Sequence, residues 1–218
     1  MDIVSISIQV IVVIMSITIH EYSHALSAYW LGDDTAKRAG RLKLNPISHL
    51  DPIGAIMLLV VHIGWAKPVP INPYNFKDMK TGTAISAAAG PISNFIMATL
   101  SALLVRFVYG FGFLNQLDNG IAFIFLSLLI KFLYFSVFIN LALGLFNLIP
   151  LPPLDGSKIL GGFLSDEMYF KYTAKEKQGA YILMIIMAVS FIFKIPIFGM
   201  IINQPLQYLT QLLLGNII

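Results

Sequence analysis

Three observations make this chain an all-α polytopic membrane protein. Of its 218 residues 57% are hydrophobic and only 11% are charged, with a mean hydropathy of +0.80, a balance that makes the bilayer its solvent. Apolar stretches long enough to cross a hydrocarbon layer of about 30 Å recur along it, separated by segments rich in Pro, Gly and basic residues. Lys and Arg crowd some of these connections and avoid others, which is a topology signal; the net charge of +3 therefore carries no nucleic-acid inference. With no Cys in the chain, disulfides and thiolate metal sites are excluded, and any metal must be held by His, Asp or Glu.

Residues 3 to 31 form the first apolar segment, longer than the ~20 residues a span needs, so the helix tilts or projects beyond the bilayer. Met1-Asp2 in place of a basic leader, with no small-residue cleavage site, marks the segment as retained and not a signal peptide. Between Gly32 and Gly82 seven basic residues (Lys37, Arg38, Arg41, Lys43, Lys67, Lys77, Lys80) surround the apolar run from Ile53 to Gly64. That run is too short to cross and suits a re-entrant or interfacial element, and the sequel Lys67-Pro68-Val69-Pro70-Ile71-Asn72-Pro73 cannot continue a helix. Arg41-Leu42-Lys43-Leu44 alternates as a short strand would, predicting irregular or β structure here. A second helix is predicted from Thr83 to about Phe113, with Ala84, Ala87, Ala88 and Gly90 allowing close backbone approach and Pro91 bending it. A third covers residues 120 to 149 and is ended by Pro150, Pro152 and Pro153. After a charged stretch from about Ser157 to Gln178 comes a fourth apolar segment, Gly179 to about Lys194. The run beyond Pro196, split by Pro205, fits either a bilayer-surface helix or packing on the bundle. These segments are read as one membrane-embedded domain over 1–218, with a core over about 3–160 and C-terminal helices over about 179–214.

The connections after the first and third segments carry eleven basic residues (the seven above with Lys158, Lys171, Lys175 and Lys177), and the connection around Asn115 to Asn119 carries none. The positive-inside rule then puts the N-terminus outside, and the inner ends of the first and third segments at one depth near the cytosolic face.

His20-Glu21-Tyr22-Ser23-His24 lies near one of those inner ends. On a helix, residues i and i+4 share a face, so His20 and His24 can offer two imidazoles to one Zn²⁺ with Glu21 beside the open position. An HExxH motif arises by chance in many proteins, and a lone His on an apolar face is usually a core residue. Here that bland alternative is costly, because a charge near the bilayer centre costs about 2.5–3.5 kcal/mol and Glu21 needs the compensation a divalent metal supplies. Asp155 follows the broken end of the third segment, at the depth of the His pair. Two His and a carboxylate form a catalytic zinc set that leaves a fourth position for water, from which Glu21 can take a proton. The alternative for Asp155 is an ordinary helix N-cap after a Pro-rich turn.

Taken together, HEYSH, the GWAKPVPIN stretch from Gly64 to Asn72, GPISN at Gly90 to Asn94, and NLIPLPPLDG from Asn147 to Gly156 resemble the site-2 protease family of intramembrane zinc metalloproteases. The resemblance covers nearly all of residues 10 to 160. It implies a three-helix catalytic core, one zinc per chain held by His20, His24 and Asp155, Glu21 as general base, and cleavage of transmembrane or membrane-proximal segments of other membrane proteins. The chain leaves no room for the PDZ or CBS insertions of some members. For Asn94 the resemblance suggests a hold on the substrate backbone or the developing oxyanion, against a plain interhelical hydrogen bond. Asn147 has the same two readings, with the structural one, satisfying backbone freed by Pro150, slightly preferred. Part of residues 41 to 75 is expected either to pair with unwound substrate as a strand edge or to plug the bundle. His49 and His62 read as structural, Trp65 as an interface anchor, Arg106 as snorkelling outward, and Ser23 and Thr18 as part of a water path; Lys131, well inside the third segment, has no account. Two rival functions stand beside the protease: a scaffold that binds transmembrane substrates without cutting them, which needs no general base, and a metal-ion transporter, whose duplicated broken helices are not seen.

Overall fold

A computed structural model of the chain describes residues 2–52, 54, 66–113, 118 and 120–215. The expected re-entrant run over 53–64, apart from Gly54, lies outside the described residues together with His62 and Trp65, and so does most of the connection around 115–119. Helix α1 (Ile3–Trp30) starts where Asp2 accepts the amide of Ser5 at 2.6 Å. Two single turns follow, α2 (Thr35–Arg38) and α3 (Pro46–His49), the latter capped by Asn45 with Pro46 in the first helical position. A 3₁₀ turn over Pro73–Asn75 leads to α4 (Met79–Gly110). This helix begins four residues before the predicted Thr83, because Asp78 accepts from the amides of Lys80 and Thr81 and so supplies the N-cap. The remaining helices are α5 (Ile121–Asn147), α6 (Asp155–Phe163), α7 (Asp166–Thr173), α8 (Glu176–Ile192) and α9 (Ile197–Leu214).

Helices α1, α4 and α5 are each long and apolar enough to cross a membrane; α8 and α9 meet that condition as a pair bent by 90°. The chain is an all-α polytopic membrane protein, as its composition implies. At about 1.5 Å per residue, α4 is some 48 Å long and overshoots the hydrocarbon.

Helix α4 is the central element and packs against α1, α5, α6 and α9. Most of its buried residues are small (Gly82, Ser86, Ala87, Gly90, Ala98, Ser101, Ala102), which brings the backbones close where no hydrophobic effect drives association. Further along, Ala98, Ala102 and Val105 of α4 meet Leu133, Val137 and Leu141 of α5, and Leu206 and Leu214 of α9 complete that cluster. The segment after Pro196 therefore packs on the bundle, with Pro205 inside a continuous helix. Arg106 Nη1 donates to Leu213 O at 3.4 Å, closing the far end of α9.

Two expectations change. Residues 41–44 form no strand: Lys43 N–H turns back to Arg41 O, and the bend lets the buried Arg41 guanidinium reach Lys67 O at 2.7 Å. The β pairing among the described residues is one antiparallel bridge, Leu50 with Ala66. Lys131 gains its account, because its ammonium lies 3.5 Å from the Asp2 carboxylate that caps α1. The structural reading of His49 agrees with its place: it is fully buried, with Nε2 on Lys43 O at 2.8 Å.

Candidate metal centre

One helical turn of α1 carries His20 and His24 into the bundle, both buried, with Nε2 atoms 3.0 Å apart. Asp155 Oδ2 stands 3.1 Å from His20 Nε2 and 3.2 Å from His24 Nε2. Asp155 gets there because α5 ends at Asn147 and the chain turns through its prolines into α6. Gly156 permits that turn: a Cβ on it would lie 2.2 Å from Leu148 O. The N-cap position of α6 is Leu154, so Asp155 is not the cap; its carboxylate is turned to the imidazoles.

The second ring nitrogens decide what these atoms offer. His20 Nδ1 lies 2.6 Å from Asn94 Oδ1, and His24 Nδ1 lies 2.7 Å from the carbonyl of Ser86. Both partners accept, so each Nδ1 carries the proton and donates, and each Nε2 presents a lone pair. Two lone pairs and a carboxylate then converge on one point, and Asp155 Oδ2 is buried with no hydrogen-bond donor. A divalent cation satisfies three acceptors facing one another, and two imidazoles with one carboxylate suit zinc.

The orientation of His20 depends on a buried polar chain. Asn94 Nδ2 donates to Asn140 Oδ1 at 2.8 Å, and Asn140 Nδ2 donates to Ser136 O at 2.9 Å. Asn94 is fully buried with both ends of its carboxamide engaged, its Oδ1 on the His20 imidazole and its Nδ2 on Asn140. Asn147 donates to Leu143 O at 3.0 Å in its own helix and also lines the cavity beside the His pair. Thr18 and Ser23 donate their hydroxyl protons to Ile14 O and Ile19 O of α1, which leaves the oxygen lone pairs as acceptors.

A cavity of about 580 Å³ opens onto His20, Glu21, His24 and Asp155. Its walls include Pro68, Val69 and Ile71 on one side and Tyr169 and Tyr172 of α7 on another. Glu21 Oε2 accepts the backbone N–H of Val69 at 2.9 Å. Sequence reading missed Asn140, although an amide inside an apolar segment is the same signal that singled out Asn94. Ser86 and Val69 act through backbone atoms, which no residue type announces.

Residues 8–193 match the model of peptidase family M50. A Bacillus subtilis protein named "Putative zinc metalloprotease YwhC" is 41% identical over 181 residues, covering 81% of this chain and 78% of that protein. Proteins named "Putative zinc metalloprotease Rip2" from Mycolicibacterium smegmatis and Mycobacterium tuberculosis are 26% and 25% identical, covering 81% and 80% of this chain and 64% and 63% of their own lengths. No solved structure matches the chain.

Proposed function

This chain belongs to peptidase family M50, the site-2 protease family of membrane zinc metalloproteases, and from that premise we propose that it is an endopeptidase acting on transmembrane or membrane-proximal segments of other membrane proteins. The observation that carries the reading is the convergence of His20 Nε2, His24 Nε2 and Asp155 Oδ2 on one point, with Glu21 at the edge of the same cavity. His20, His24 and Asp155 hold the metal. Zinc, when bound there, polarises a carbonyl and lowers the pKa of water. Glu21 takes the proton of the attacking water and returns it to the leaving amine. Asn94 and the Ser86 carbonyl fix the tautomers that leave both Nε2 atoms free. The aromatic wall of α7 and the apolar side chains of Val69 and Ile71 suit an apolar substrate segment, unwound at the cleaved bond. All of 1–218 forms the one membrane-embedded unit that carries this site.

Orientation belongs to the same proposal. Apart from Arg106, Lys131 and Lys194, every Lys and Arg lies in the two connections joined to the metal-site ends of α1, α4 and α5 or in the first turn of the long helix that follows, which supports an active site near the cytosolic face and an outside N-terminus.

The test is a pair of substitutions in purified protein. Glu21→Gln retains one zinc per chain and abolishes release of membrane-protein fragments, whereas Asp155→Asn loses the zinc. Fragment patterns unchanged by Glu21→Gln would overturn the protease in favour of a scaffold.

A further inference from the structure

The chain from Ala66 to Asn75 forms a strap along the cavity, tied down at both ends. At its start Ala66 bridges Leu50, Lys67 N–H donates to His49 O at 3.0 Å, and Lys67 O accepts from Arg41. At its finish the anchor is Asp33, a fully buried carboxylate. Asp33 Oδ2 accepts the amide of Asn72 at 2.8 Å, and Oδ1 accepts Asn75 Nδ2 at 2.7 Å together with the amide and hydroxyl of Thr35. Asp33 is itself fastened to α1, its N–H donating to Ala28 O at 2.9 Å. Glu21 stands on the same helix.

What the strap presents between its anchors is nearly fixed by its composition. Pro68 and Pro70 have no N–H and fix their own φ, while the amides of Lys67 and Asn72 are spent on the anchors. Only Val69 and Ile71 retain an amide in between, and that of Val69 donates to Glu21 Oε2. A carboxylate has two oxygens; with Oε2 held, Oε1 remains to receive a proton.

We propose that Asp33 is a positioning residue: by pinning Asn72 and Asn75 it sets the strap so that the Val69 amide aims the Glu21 carboxylate. The inference rests on Glu21 being the general base. It differs from a purely structural role in that Asp33, Val69 and Glu21 act as one unit, whereas a loop staple would act on stability alone.

The full chain in detergent provides two readouts. The first needs no activity: amide hydrogen exchange of the Val69 position is about tenfold or more faster in Asp33→Ala and in Glu21→Ala than in wild type. The second uses a quenched-fluorescence transmembrane peptide cleaved by the wild type. Val69→Pro removes the donor and lowers kcat about tenfold or more with KM within about twofold; Val69→Ala keeps the donor and most of kcat. Asp33→Ala combined with Val69→Pro is no worse than Val69→Pro alone. All variants keep one zinc per chain, since the strap carries no ligand. If Asp33→Ala fails to fold, Asn75→Ala removes one bond of the clamp and takes its place. Unchanged exchange at Val69, full activity of Val69→Pro, or multiplicative losses in the double variant would overturn the proposal. Cleavage surviving Glu21→Gln would instead overturn the reading of the base, a separate outcome.

Discussion

Gly90 is where a single methyl group would fall on the two imidazoles. A Cβ built there lies 2.4 Å from His24 Nε2 and 2.6 Å from His20 Nε2, about 1 Å inside ordinary van der Waals contact. The rings cannot swing aside cheaply, because their Nδ1 atoms are tethered at 2.6 and 2.7 Å to Asn94 and Ser86. Both tethers sit on α4, the helix that carries Gly90. Relief then requires α4 to withdraw by about 1 Å or a ring to give up its buried hydrogen bond. Overpacking of this kind costs about 1–3 kcal/mol, and losing the support of a ligand lowers metal affinity about 10–100-fold. Gly90→Ala is therefore expected to bind zinc at least about tenfold more weakly, measured by competition with a chelating indicator. Thermal unfolding of the zinc-free protein reports the overpacking separately. Wild-type zinc affinity in Gly90→Ala would refute the close approach of α4 to the imidazoles.

Three further outcomes follow from the same geometry. Asn94→Ala leaves His20 Nδ1–H buried without its acceptor and should weaken zinc binding about 10–100-fold; equilibrium dialysis against a zinc buffer checks this. Burial pushes the Asp33 carboxyl up, but hydrogen bonds from Thr35, Asn72 and Asn75 outweigh it and hold the group below its ordinary range. Its stabilisation is then complete above the unfolded value of about 3.9 and fades as pH falls through the lowered folded value; unfolding midpoints between pH 2.5 and 6 should show a steeper acid loss in wild type than in Asp33→Asn. Lys131→Met, which breaks a partly exposed pair with Asp2, should leave the midpoint of a denaturation series nearly unchanged.

What the chain's local chemistry determined is considerable. Apolar length fixes how many helices cross, prolines and glycines mark where they stop, and the i, i+4 spacing of His20 and His24 guarantees two imidazoles on one face. Even the common depth of the His pair and Asp155 could be read from segment lengths and basic connections. Depth leaves rotation open, however: each residue turns a helix by 100°, so matching heights do not say which side chains face one another. Only packing decided that α4 lays Asn94 and the Ser86 carbonyl against the imidazoles, that Asn140 supports Asn94, that Lys131 reaches Asp2, and that α9 lies on the bundle. The Val69 amide on Glu21 was the least legible feature, because a backbone donor carries no residue identity and its aim depends on Asp33, twelve residues beyond the base. HExxH was thus set by local spacing, whereas the polar groups that orient its three side chains come from contacts between distant elements.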